Sequence, residues 1–142
     1  MNRYLHFFLT FAVIAIALFV FDIIFHGVLI KGYYEQTANL WRSENEMQNL
    51  VLFNIATYLS SSFIAVVIFE QFVLKLDKKD LLKNCFKISI LITTLIGIIM
   101  VRFYVFIPMT LSLSFFWFIN AIFHGVIVWL ILYSFNKNKS LK

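Results

Sequence analysis

Residues 5–30 read LHFFLTFAVIAIALFVFDIIFHGVLI. No lysine or arginine interrupts them, and Asp22 is their one acidic residue. An apolar run of about 18 or more residues has the length of a helix that crosses the hydrocarbon core of a bilayer. Three more such runs follow, at 50–74, 86–107 and 111–135. Little remains for a water-soluble domain. The composition agrees: 62% of residues are hydrophobic and 13% charged, with a mean hydropathy of +0.90. A soluble domain lies nearer half apolar and a quarter charged. A transmembrane β-barrel would show segments of roughly ten residues with alternating polarity. These blocks are solid, and one proline and four glycines suit continuous helices. The chain reads as an all-α membrane protein, one domain over 1–142, with four transmembrane helices in an antiparallel up-down bundle.

The first run has some features of a cleaved signal. Arg3 precedes it, and Ala15-Ile16-Ala17 resembles a small-x-small cleavage site. The apolar stretch continues to Ile30, well past a signal core of about 7–15 residues. It reads as a retained first span. Cys85 is the lone cysteine, so it has no internal disulfide partner. It reads as a small apolar residue near the start of the third span.

Positive charge sets the expected orientation. Nine of the twelve cations fall on one side: Arg3; Lys75, Lys78, Lys79, Lys83 and Lys87 around the loop 75–87; and Lys137, Lys139 and Lys142 after the last span. Lys31 and Arg42 face the other side, and Arg102 lies within the third span. Short loops rich in Lys and Arg stay cytoplasmic. Both termini are therefore expected in the cytoplasm. The net charge of +5 is then a topology signal, and no nucleic-acid partner is expected. The loop lysines can also touch anionic lipid headgroups.

The outer segment, 31–48, carries Tyr33, Tyr34 and Trp41, residue types that favour the membrane–water interface. With Arg42 they are expected to cap the outer mouth of the bundle. Within it, Ser43-Glu44-Asn45-Glu46 matches a capping box, which predicts that the second span's helix starts there. The outer connection around Pro108 is short and predicts a tight hairpin between spans three and four.

Ionisable groups inside hydrocarbon are the first candidates for function. The string Ile24-Phe25-His26-Gly27-Val28 recurs as Ile122-Phe123-His124-Gly125-Val126, and Asp22 and Asn120 stand one turn before each histidine. Residues four apart share a helix face. Counted at about 1.5 Å per residue, Asp22 and Asn120 lie level, roughly 12–14 Å deep. His26 falls one turn outward of that level and His124 one turn inward, which makes the repeat an inverted pair. Inverted repeats around a midplane site are a recurring transporter plan. Arg102 on span three and Asn54 and Thr57 on span two lie at similar depth, with Ser61 continuing their face. These groups are expected to turn inward as one polar cluster, Asp22, His26, Asn54, Thr57, Arg102, Asn120 and His124, with Asp22 and Arg102 as the central charge pair. Lipid offers them no hydrogen-bond partner. Glu70, near the cytoplasmic end of span two, can reach water or loop lysines.

Three classes of function stay open. The first is small-solute or ion movement, or a role as a subunit of a larger membrane assembly. The second is a redox, metal or haem module using Asp22, His26 and His124. The third is a purely structural membrane protein. No compact metal-ligand motif is present. Bis-histidine haem needs two rings at one level, and the depth count separates His26 and His124 by roughly 13 Å. No cofactor is therefore expected. The run Ser60-Ser61-Ser62 lacks a G-x-S-x-G setting or a partnered triad. There is also no P-loop or dinucleotide fingerprint, so an enzyme is not the leading expectation. Gly97 has no partner for G-x-x-x-G association. Expected partners are the bilayer itself and a second copy or a larger membrane complex.

His26-Gly27-Val28-Leu29-Ile30, then Tyr33 or Tyr34, then Leu40-Trp41-Arg42, and finally Tyr104-Val105-Phe106-Ile107-Pro108, form a recognisable set. It resembles a group of small four-helix bacterial inner-membrane proteins. Their pattern is a first span ending in H-G-V-L-L, an outer segment with Y and L-[FW]-R, and a third span ending in Y-x-x-x-P. The resemblance implies the four-helix architecture and an inner-membrane location, and no activity. The second H-G-V, in span four, departs from the group.

Overall fold

The computed structural model describes residues 2–75 and 80–137. Four helices are long and apolar enough to cross a membrane, over Arg3–Leu29, Val51–Gln71, Leu81–Val105 and Leu111–Asn136. In lipid a backbone must satisfy its own hydrogen bonds, and a helix does this within one segment. Lys78, Lys79, Lys139 and Lys142, used above for orientation, lie outside the described residues.

Helix α1 runs over Arg3–Ile24, and Asn2 caps it by accepting from the Tyr4 amide at 3.1 Å. It continues as one π-helical turn, Phe25–Leu29, closed by the Ile30 amide on the Phe25 carbonyl at 3.0 Å. The short α2, Lys31–Glu35, and a 3₁₀ turn, Ala38–Leu40, follow. Ser43 then caps α3, Glu44–Asn49. The sequence predicts that this capping box opens the second span, and it does not. Leu50 breaks the helix at φ −99° and ψ 6°, and α4 begins afresh at Val51 and runs to Gln71. Helix α5 spans Leu81–Arg102, about a turn earlier than the predicted 86–107. Lys83 and Lys87 are exposed within its first turns, because long basic side chains carry their charge out to water while the backbone stays helical. Residues 103–110 turn the chain, with Pro108 disfavouring helix at the residue before it. Thr110 then caps α6, Leu111–Asn136, by accepting from the Leu113 amide at 3.2 Å.

α4 packs on α1, α1 on α6, and α6 on α5, the last pair being the most extensive. Two glycines explain that contact. A Cβ on Gly97 would stand 2.7 Å from the Phe118 ring, and one on Gly125 would run into the Thr93 side chain. Two apolar clusters hold the helices. One joins Ile14 and Leu18 of α1 to Val66 and Phe69 of α4, Leu81 and Cys85 of α5, and Leu132 of α6. The other joins Phe25 and Ile30 to Met109 and Leu113, with Tyr33, Trp41 and Phe116 packed against it. Along α1 and α6 the polar residues fall between them. Much of the remaining apolar surface faces outward, with Leu52 at 81% and Leu91 at 72% exposure. Apolar surface of that extent suits a membrane.

At one end His6 is buried and its Nε2 meets the Phe135 carbonyl at 2.9 Å, tying α1 to the end of α6. Glu70 pairs with Arg3 at 3.1 Å. Thr57 and Ser61 donate to carbonyls of their own helix, at Asn54 and Thr57, at 2.6 and 2.7 Å.

The α3 cap titrates. Glu46 accepts from the Ser43 hydroxyl at 2.8 Å and the Ser43 amide at 2.9 Å, and these bonds hold its carboxyl below the usual glutamate range. A lowered folded pKa gives support that is complete above the unfolded pKa and is lost as pH falls through the folded one. Protection factors of the Glu44–Asn49 amides, which allow for the slower intrinsic exchange in acid, should therefore fall on acidification below the usual carboxylate range. Ser43→Ala should show that lower protection already at neutral pH. Equal exchange in the variant and the wild type would remove the cap's role.

Candidate functional site in the membrane-spanning region

Asp22 sits late in α1, with its side chain 13% exposed. Its Oδ1 is met by His124 Nε2 at 2.8 Å and by the Asn120 amide nitrogen at 3.1 Å. Its Oδ2 accepts from the Tyr58 hydroxyl at 2.6 Å. One carboxylate thus ties α1 to α4 and α6. His26 Nε2 lies 3.8 Å from the same Oδ1 and 3.2 Å from the Asn120 nitrogen. The His26 Nδ1 meets the Tyr34 hydroxyl at 2.8 Å, and the Trp117 indole donates to that hydroxyl at 2.7 Å. A continuous polar chain therefore runs from Tyr58 through Asp22, Asn120 and His26 to Tyr34 and Trp117.

One assignment of protons satisfies these contacts together. Asn120 must turn its nitrogen to Asp22, because its oxygen would repel a carboxylate at 3.1 Å. That same nitrogen donates toward His26 Nε2, so Nε2 is an acceptor and the imidazole proton sits on Nδ1. His26 then donates to the Tyr34 oxygen. In this assignment Tyr34 accepts twice, from His26 and Trp117. Burial pushes the Tyr34 phenol up to about 12, the Trp117 bond opposing and the Asp22 charge adding to the shift. The hydroxyl keeps its hydrogen at ordinary pH.

Local folding explains this convergence. In a helix each side chain leans toward the N-terminal turn. His26 leans back toward Asp22 on α1, and His124 leans back toward Asn120 on α6. Both rings therefore reach one oxygen, where the depth count placed them roughly 13 Å apart. The two copies of the repeat differ in backbone: the first is the π turn, the second is regular α-helix. π-helix is rare, appears mostly as single turns within α-helices, and is frequent at functional sites.

The structure brings together Asp22, His26, Asn120 and His124 of the residues expected at the site. It leaves Arg102, Asn54 and Thr57 outside. Arg102 is exposed, with its guanidinium carbon 5.8 Å from the centre of the Phe106 ring. It ends α5, which packs chiefly on α6, so its long side chain runs to the surface. The expected Asp22–Arg102 pair is replaced by the bonds to His124, Asn120 and Tyr58. Asn54 is exposed, and Thr57 turns back to its own helix. α4 supplies Tyr58 instead. A tyrosine well inside an apolar span, away from the interface where tyrosines collect, was the available signal. Trp117 was also missed, although it precedes Asn120 by three positions and shares its face.

Over the cluster, Tyr33 packs on Phe116 with ring centres 4.8 Å apart. Trp41 packs edge-on against Tyr34 at 5.3 Å and donates to Thr37 at 2.9 Å. Arg42 does not join them. It is exposed, and its charge acts on Glu46. Beside the cluster lies a cavity of about 350 Å³, lined by His26, Tyr34, Asn120 and His124 on one side and Thr93, Ile96 and Met100 of α5 on another. Asn120 Oδ1 is buried and has no hydrogen-bond partner. Among the described residues no group of three or more His, Cys, Asp or Glu side chains is set to hold a metal ion. Both ring nitrogens of His26 and the Nε2 of His124 are already engaged.

Compared with known proteins, the chain matches no family model, no curated protein and no solved structure.

Proposed function

We propose that this is a multi-pass protein of the bacterial inner membrane, an antiparallel up-down four-helix bundle with both termini cytoplasmic. Its Asp22-centred cluster moves a small solute or ions, protons among them, alone or as a subunit of a larger membrane assembly. One observation carries the reading. A carboxylate in a membrane-length helix is tied directly to a histidine, an amide and a tyrosine, and through the amide to a second histidine, and the chain of exchangeable groups borders a cavity. Polar groups that merely glue helices together need no adjoining cavity. Intramembrane carboxylates and histidines in connected chains are how pumps and transporters relay protons.

Two experiments test this. Vesicles holding the wild-type protein should dissipate an imposed pH gradient at least tenfold faster than vesicles holding Asp22→Asn, with equal incorporation and equal far-UV helix content. Equal rates would overturn the reading. For orientation, a cysteine at the exposed Asn39 should react with an impermeant thiol reagent added to intact cells. Labelling that needs lysis would reverse the topology.

A further inference from the structure

The two histidines of the repeat approach one carboxylate oxygen, yet they are bound differently. His26 has both ring nitrogens committed, Nδ1 to the Tyr34 hydroxyl at 2.8 Å and Nε2 to the Asn120 amide nitrogen at 3.2 Å. His124 uses only Nε2, on Asp22 Oδ1 at 2.8 Å. Among the described residues nothing bonds its Nδ1. That nitrogen is not sealed in either. Among the described residues, the buried side-chain nitrogens and oxygens that lack a partner are Ser62 Oγ and Asn120 Oδ1. The His124 side chain is 26% exposed, and the residue borders the cavity opposite Thr93, Ile96 and Met100 of α5.

We propose that His124 is the group that loads and releases a proton, at Nδ1, with Asp22 as its positioning counter-charge and His26 as a fixed, neutral member of the network. This rests on the reading above that the cluster moves ions, protons among them, and names the group that carries them. An ionised carboxylate only accepts, so His124 keeps its hydrogen on Nε2 and Nδ1 holds a lone pair. A proton adds there without breaking a hydrogen bond. The N–H bond forms at Nδ1, a hydronium ion gives up the proton and is left as water, and Nε2–H stays on Asp22. Release is the reverse. The added charge stands 2.8 Å from the carboxylate, so the loaded pair is neutral overall, and an uncountered charge is what the bilayer centre penalises. His26 has no such opening. A hydrogen on its Nε2 would meet the Asn120 amide nitrogen, itself a donor. Turning that amide over would place its oxygen against the Asp22 carboxylate, where the nitrogen now lies at 3.1 Å. The other ionisable groups around His124 are Tyr58 of α4, bonded to Asp22, and Tyr34 of the outer segment, on the same cavity. The α5 wall, Thr93, Ile96 and Met100, holds no titratable group.

Nitrogen-15 NMR of the whole protein in lipid bilayers, with labelled histidine, reads each ring nitrogen as protonated or bare. The chain has three histidines, and the variants His6→Gln and His26→Gln assign the signals by their loss. Near neutral pH, His124 should show a bare Nδ1 and a protonated Nε2, and His26 the reverse. On acidification His124 Nδ1 should gain its hydrogen, and at the pH where half of it has done so His26 Nε2 should still be bare. His124→Gln keeps an N–H for Asp22 but takes no proton, so dissipation of a pH gradient should slow by about tenfold or more, within what a positioned proton-transfer group contributes. His26 Nε2 gaining its hydrogen before or together with His124 Nδ1 overturns the assignment. So does a neutral His124 with its hydrogen on Nδ1, or a glutamine variant as fast as the wild type. In these cases a gradient still dissipated through Asp22 leaves the transport reading standing. A wild-type protein that dissipates no gradient overturns that reading, and the carrier role with it, whatever the histidines show.

Discussion

Asp22→Leu is expected to destabilise the fold by about 2–4 kcal/mol, while Asp22→Asn stays within about 1 kcal/mol of the wild type. The leucine leaves three donors without an acceptor: the Tyr58 hydroxyl, the Asn120 amide and the His124 ring. Interhelical hydrogen bonds in membranes average about 0.6 kcal/mol and reach about 1.7. Three lost together reach the stated range only because their partners are also left unanswered in a site without bulk water. The asparagine keeps a carbonyl oxygen for two of them. There is an opposing effect, the desolvation of the carboxylate itself. Where that dominates, an apolar replacement is neutral or stabilising. Unfolding in mixed micelles, followed by circular dichroism, decides between the two. A leucine variant as stable as the asparagine one would mean that the carboxylate is a burden and the network no brace.

The two glycines of the repeat should respond oppositely to the same change. Gly125→Ala puts a methyl group into the Thr93 side chain and 3.1 Å from the Ser89 carbonyl, so α5 has to move off α6. Thr93 has little room to yield, since its hydroxyl is bonded to Ser89 at 2.8 Å. Overpacking of this kind costs about 1–3 kcal/mol. Around Gly27 nothing lies within 4 Å of the added atom. Gly27→Ala should be neutral within about 0.5 kcal/mol or slightly stabilising, as removing glycine from an unstrained position lowers the entropy of the unfolded chain. The same unfolding titration measures both. Comparable losses at the two positions would show that the strings are equivalent after all, and that the α5–α6 contact is looser than described.

The contrast shows where local pattern stops. Ile-Phe-His-Gly-Val is the same string twice, and its first copy is a π turn on an open surface while its second is α-helix against α5. Five residues cannot specify which neighbour a glycine will meet. Asp22, His26, Asn120 and His124 were legible as a site because an ionisable or amide group in an apolar run is conspicuous whatever the fold. Their partners were not. Depth and face put Arg102 and Asn54 in reach, but a charge at the end of α5 runs to the surface, and α4 turns Tyr58 toward Asp22 instead.

The four membrane-length helices are the sequence's own work. Apolar length is a property of each segment alone, and a backbone in hydrocarbon has to close its hydrogen bonds within that segment. Caps belong to the same class: Ser43 with Glu46 sets the start of α3 through neighbours three residues apart. What that cap leads into, a six-residue helix broken at Leu50, depends on the outer segment folding back over the cluster through Tyr34 and Trp41. Tertiary packing also decided which residues share Asp22, that both histidines approach one oxygen, and that Asn120 Oδ1 is buried without a partner. These depend on how far each helix is turned about its axis and on which helix it rests. In lipid no hydrophobic force between helices sets that rotation, so close packing at Gly97 and Gly125 and a few interhelical hydrogen bonds do.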